Sequence, residues 1–161
     1  MNLELTNRIL RNEMYLKELN TLRELEKNRV FCGHDIEHFL DVARITMIIC
    51  WEKGIDVMPD LIYSAALLHD IGRSAEYTEN VPHHIAGKKT AEKILDDVNC
   101  CDDMKSRILS LILNHRNKEN EKDSLENIFY TADKKSRLCF ACPSRDICNW
   151  QKDRKNMNIE V

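Results

Sequence analysis

His69 and Asp70 stand side by side at the end of an apolar run, and Ile71, Gly72 and Arg73 follow them. Leu61, Ile62, Ala65, Ala66, Leu67 and Leu68 suit a buried helix, and Gly72 suits its C-terminal cap, which places the pair in the last turn of a core helix. Burying a carboxylate beside an imidazole costs several kcal/mol unless something compensates, and a divalent cation compensates both groups at once. The pair therefore reads as the centre of a metal site.

Four further groups extend apolar stripes at helical spacing. His38 continues Val42, Ile45 and Ile49; His84 continues Ala91 and Leu95; His115 continues Ile108, Leu111 and Ile112; and Asp133 continues Leu125 and Phe129. One histidine on an apolar face is ordinarily a hydrogen-bonded core residue. His38, His69, Asp70, His84, His115 and Asp133 together have little reason to face one core unless they meet. Imidazole and carboxylate suit Fe, Mn, Co, Ni or Zn far better than Ca. His38, His69, Asp70 and Asp133 suffice for one ion with open positions for water and substrate, while His84 and His115 make room for a second ion with Asp70 between the two. His34 is expected behind the ligands or at the surface, and His83, turned away from His84, at the rim. Arg73, Arg116 and Lys134 lie near ligands in sequence and suit phosphate oxygens, whereas Lys88 reads as a solvated charge.

The elements that must position these groups are helical. The chain has 161 residues, 32% of them charged, with only four glycines and three prolines, and it shows no strand-like alternation. Residues 3 to 27 read as one amphipathic helix that packs on the body or on a partner. A helix capped by Asp35 follows and runs to about Lys53; Pro59 opens the helix that ends at His69 and Asp70. Residues 73 to 82 read as an irregular rim, and further helices start near His83, after Cys101 and near Ser124. The expected organisation is a single domain, residues 1 to 161, with its core at about 30 to 137 and a cysteine-rich tail over 138 to 161. The net charge of -3 points to neither nucleic acid nor a membrane surface as partner. No export signal and no apolar run of about 20 residues is present, so the expected location is the cytoplasm.

Seven cysteines in such a chain argue for thiols or metal ligands over disulfides. Cys139, Cys142 and Cys148 form a CxxC followed by a third cysteine, a spacing able to grip zinc or an iron-sulfur cluster. It resembles the C-terminal cluster-binding cysteines of some RecB-like nucleases. Cys32, just before the His38 helix, is the candidate fourth ligand. Cys50 reads as core, and Cys100 and Cys101 as ordinary thiols.

The order His38, His69-Asp70, Asp133, with the strings EHFLDVARI, AALLHDIGR and YTADKKSR, resembles the HD-domain superfamily of metal-dependent phosphohydrolases. That resemblance implies an all-α HD-domain helical bundle with His38, His69, Asp70 and Asp133 as primary ligands. The histidines in HHIAG and LNHR resemble those of binuclear members, although the glycine-tyrosine-proline signature of the cyclic-dinucleotide branch does not follow His115. The expected activity is attack of a metal-activated water on a phosphate monoester or diester, with a nucleotide or similar phosphorylated small molecule as substrate. Asp70 and His69 would act at the metal, and Arg73 and Lys134 on the phosphate. Two other readings keep the same side chains: a di-iron oxygenase, and a metal or redox sensor with the tail as detector. The oligomeric state, homodimer included, is left open.

Overall fold

A computed structural model describes residues 3–160, so Met1, Asn2 and Val161 lie outside it. Among the described residues the chain is all helical, as the spacing predicts. The elements are α1 (Glu4–Leu10), α2 (Glu13–Glu26), α3 (Ile36–Glu52), α4 (Pro59–Leu68), α5 (Arg73–Glu79), α6 (His83–Asp97), α7 (Asp102–Asn114) and α8 (Leu125–Lys135). Short 3-10 turns follow at Cys139–Ala141 and Lys152–Arg154. No helix is long and apolar enough to cross a membrane among these residues.

Helix α4 is the axis of the bundle. Its residues Leu61, Ile62, Ala65, Ala66, Leu67 and Leu68 are all buried, because α1, α3 and α7 pack around it. Helix α3 also packs on α8, and α6 on α7 and α5, which brings the ends of α4, α7 and α8 and the starts of α3 and α6 to one region. Asp35 accepts a hydrogen bond from the His38 amide, so the expected cap forms, and Ser124 caps α8 in the same way by accepting from the Asn127 amide.

Three local expectations are corrected. The N-terminal amphipathic stretch is two helices, because Asn12 stops α1 and caps α2 by accepting from the Tyr15 amide at 3.0 Å. Both pack inward through Leu5, Ile9, Tyr15 and Leu22. The Asp60 carboxylate accepts the Leu5 and Thr6 amides at 2.8 Å each, so a side chain from α4 caps the seven-residue α1. Residues 73 to 79 form helix α5 where the polar composition suggested an irregular rim. Gly72 does not cap α4 in a left-handed conformation; its φ is -78° and it opens α5. What demands glycine there is contact, since a Cβ would lie 2.2 Å from the His83 carbonyl oxygen and 2.3 Å from the Gly87 nitrogen.

Candidate metal centre

Helix α4 ends at Leu68, and the turn after it carries His69 and Asp70 into the interior. The two oxygens of Asp70 face different groups. Oδ2 lies 3.2 Å from His69 Nε2, 3.7 Å from His38 Nε2 and 3.7 Å from His34 Nε2. Oδ1 lies 3.2 Å from His83 Nε2 and 3.7 Å from His115 Nε2. Asp133 closes the first group, its Oδ1 standing 3.4 Å from His38 Nε2 and 3.9 Å from His69 Nε2. The donor atoms of His38, His69, Asp70 and Asp133 all lie within 4.8 Å of one another, as do those of Asp70, His83 and His115.

The far side of each ring decides which nitrogen is available. His69 Nδ1 donates to the Ala66 carbonyl at 2.7 Å and His115 Nδ1 to the Ile112 carbonyl at 2.5 Å. His83 Nδ1 donates to Glu76 at 2.9 Å, and His34 Nδ1 to Glu26 at 2.5 Å. His38 Nδ1 lies 3.1 Å from Ser136 Oγ, whose hydroxyl donates to the Asp133 carbonyl. With its proton committed at Nδ1, each ring turns an Nε2 lone pair toward the carboxylates. Acceptors gathered in this way repel unless a proton or cation lies among them. His69 Nε2 is buried with no hydrogen-bond partner, and His83 Nε2 faces His115 Nε2 at 3.1 Å. This donor set fits one or two divalent transition ions.

Electrostatics favour the neutral imidazole at His38 and His83 and the ionised form of both carboxyls. Burial drives the His38 imidazole down to about 4, with Arg137 lowering it further. Burial likewise drives His83 down to about 3, reinforced by Arg73. Burial works against charge on His69 too, yet Asp70 and Asp133 hold its value above the ordinary one. Burial would raise the two carboxyls, but His69 and Arg73 hold Asp70, and Lys134, His69 and Arg137 hold Asp133, below the usual carboxylate range.

The expected ligands His38, His69, Asp70, His115 and Asp133 come together, and His84 does not. It is half-buried outside both groups, and His83, expected at the rim, takes its place with no exposed surface. The cause lies in α6, whose buried face is His83, Gly87, Ala91, Ile94 and Leu95. His83 and Gly87 are one helical turn apart on it, and Gly87 meets Gly72, so His83 is drawn against Asp70. Glu26, Glu76, Ser136 and Arg137 were missed; only Arg137, four residues beyond Asp133, carried a periodic hint.

A cavity of about 710 Å³ adjoins the centre. Its wall includes His34, Arg73, Lys134 and Arg137, each of which contacts Asp70 or Asp133. Arg73 Nε donates to Asp70 at 3.0 Å and its Nη1 to Glu76 at 2.6 Å, while Lys134 Nζ donates to Asp133 at 2.5 Å. Arg116, Lys118 and Arg154 also line the cavity, beside Tyr130 and Trp150, and among the described residues no carboxylate does. Cys32, Cys139 and Cys148 form part of the same wall.

The HD domain family model matches residues 35–138. The chain belongs to the HD domain family, a superfamily of metal-dependent phosphohydrolases. It is 39% identical over 153 residues to an uncharacterized protein of Clostridium beijerinckii, with 95% of this chain and 96% of that one covered. It is also similar to ribonuclease Y of Mycoplasma capricolum, at 24% identity over 70% of this chain and 20% of the relative. With ribonuclease Y of Clostridium botulinum the identity is 28%, over 50% of this chain and 15% of the relative. This chain thus spans about a fifth or less of the ribonucleases it resembles. No solved structure matches.

Proposed function

We propose that this protein is a binuclear phosphohydrolase that cleaves a phosphate ester of a nucleotide or short nucleotide-containing molecule. The observation that carries the reading is Asp70, whose two oxygens face two separate sets of imidazoles beside a cavity lined by cations without a carboxylate. His38, His69, Asp70 and Asp133 would hold one ion, and Asp70, His83 and His115 the other. Divalent ions there would act as Lewis acids toward the phosphate and lower the pKa of a water.

The chain's own groups supply the rest. Ala66, Ile112, Glu76 and Ser136 fix the imidazoles in the orientation that ligation requires. Lys134 and Arg137, beside Asp133 at the cavity wall, would attract phosphate oxygens. Arg73 is tied to both Asp70 and Glu76, so its first task is to hold those carboxylates in place. Tyr130 and Trp150 offer flat apolar faces for a base.

Ribonuclease Y, by its name, acts on RNA, and its similarity favours phosphodiesters within the proposed class. The full chain, loaded with Mn or Fe, would be tested on nucleoside monophosphates, dinucleotides and short single-stranded RNA. Phosphate or nucleotide release that is lost in Asp70→Ala supports the proposal. Oxygen uptake with iron and no hydrolysis of any of these compounds contradicts it.

A further inference from the structure

We propose that Cys32, Cys139, Cys142 and Cys148 hold a four-iron iron-sulfur cluster that fastens the C-terminal segment to the loop before α3.

Two contacts independent of sulfur show that these segments belong together. The Ser144 hydroxyl donates to the Val30 carbonyl, and Arg137 Nη1 donates to the Gly33 carbonyl at 2.9 Å. They bracket Cys32 on one side and Cys139 and Cys142 on the other, with Cys148 four residues beyond Ser144. The tail reverses tightly, with the Cys142 amide on the Cys139 carbonyl and the Arg145 amide on the Cys142 carbonyl. Such a turn points two thiols of a CxxC the same way. Burial raises the Cys32 thiol, Arg137 lowers it, and the thiols of Cys139, Cys142 and Cys148 stand near enough to raise it again. All seven cysteines are free thiols, and these four are buried or half-buried.

The segment needs such a fastening. Among the described residues beyond Cys139 only Ser144 is buried, and Ile147 and Ile159 are 68% and 87% exposed. So little apolar burial does not offset the entropy of ordering some twenty residues, whereas a metal centre does. Spacing then selects the centre. A zinc ion bonded at about 2.3 Å would draw the four sulfurs to under roughly 4 Å from one another. Among the described residues, the two groups of donor atoms gathered within 4.8 Å of one another are the His and Asp groups described above, and neither contains a sulfur. A cluster of four irons, each bound by one thiolate, is held by sulfurs set wider apart. Arg137 and Arg29, beside Cys32, offset the negative charge of the thiolates.

The full chain is purified anaerobically, reconstituted with ferrous iron, sulfide and a thiol reductant, and assayed for acid-labile sulfide and for absorbance near 400 nm. The expected result is about four sulfides per chain. Sulfide reports this site alone, because the His and Asp groups bind iron without it, so a failed phosphohydrolase reading leaves the measurement intact. Cys142→Ser and Cys148→Ser lose the sulfide, and Cys100→Ser keeps it. Should the serine variants not fold, iodoacetamide labelling of the reconstituted wild type decides: Cys32, Cys139, Cys142 and Cys148 are protected, and Cys101 is labelled. Full labelling of the four with no sulfide overturns the proposal, and so does one zinc per chain at these thiols.

Discussion

His83 and His115 bring their Nε2 atoms to 3.1 Å while each ring's Nδ1 proton is already given away, to Glu76 and to the Ile112 carbonyl. Two lone pairs at that distance need a proton or a cation between them, and Asp70 Oδ1 completes the set. His83→Ala is therefore expected to remove one of two bound ions, whereas His84→Ala leaves both. Metal content per chain after gel filtration checks this.

Asp70 serves both groups, so Asp70→Asn should lower the content of both ions, where Asp133→Asn affects one. Metal added to the wild type should raise its melting temperature, by linkage worth about 2.7 kcal/mol at a hundredfold excess over Kd. Thermal unfolding with and without chelator measures the difference, which should largely vanish in Asp70→Asn.

The close approach of Gly72 and Gly87 holds α6 against the turn that carries Asp70. In Gly72→Ala the new methyl meets backbone at 2.2 Å, which no rotamer change relieves. The expected cost is about 2–4 kcal/mol in urea unfolding. Binding of the ion at His83 should weaken more than that at His38, since α6 must shift and α3 need not.

Glu26 ties α2 to the start of α3 and to α5, accepting from the His34 amide and from the Tyr77 hydroxyl at 2.6 Å. Although burial alone would raise its carboxyl, His34 and Tyr77 hold it at about 2. A carboxyl lower when folded than unfolded adds stability above its unfolded value of about 4.5, and that stability is lost as pH falls from there toward 2. Burial, with help from Glu26, raises Tyr77 to about 12. Its contribution is present below its ordinary value of 10 and is lost as pH climbs from 10 toward 12. Tyr77→Phe should flatten the alkaline limb of a melting-temperature profile and leave the region near neutrality shifted by about 1 kcal/mol or less.

The sequence carried most of this centre because its ligands sit at the ends of strongly periodic helices. His38 and Asp133 share faces with Val42 and Phe129, and burial of those faces leaves the polar groups no direction but inward. It misled at α6, where two adjacent histidines compete for one face. The decision there belongs to Gly87, whose contact is with a distant residue. The break after α1 was hidden for a similar reason, since the cap that stabilises that short helix is Asp60, on another element. Arg137 carried only its spacing from Asp133, since its second partner, His38, is far off in sequence, and Glu76 was illegible because it meets His83 across the break between α5 and α6, where no helical period runs.

The most direct test is anomalous X-ray diffraction from crystals of the Mn-loaded protein. Two peaks are predicted on either side of Asp70, one within bonding reach of His38, His69 and Asp133, the other within reach of His83 and His115. Peaks confined to surface carboxylates, with the Asp70 oxygens touching no ion in fully loaded crystals, would contradict the account.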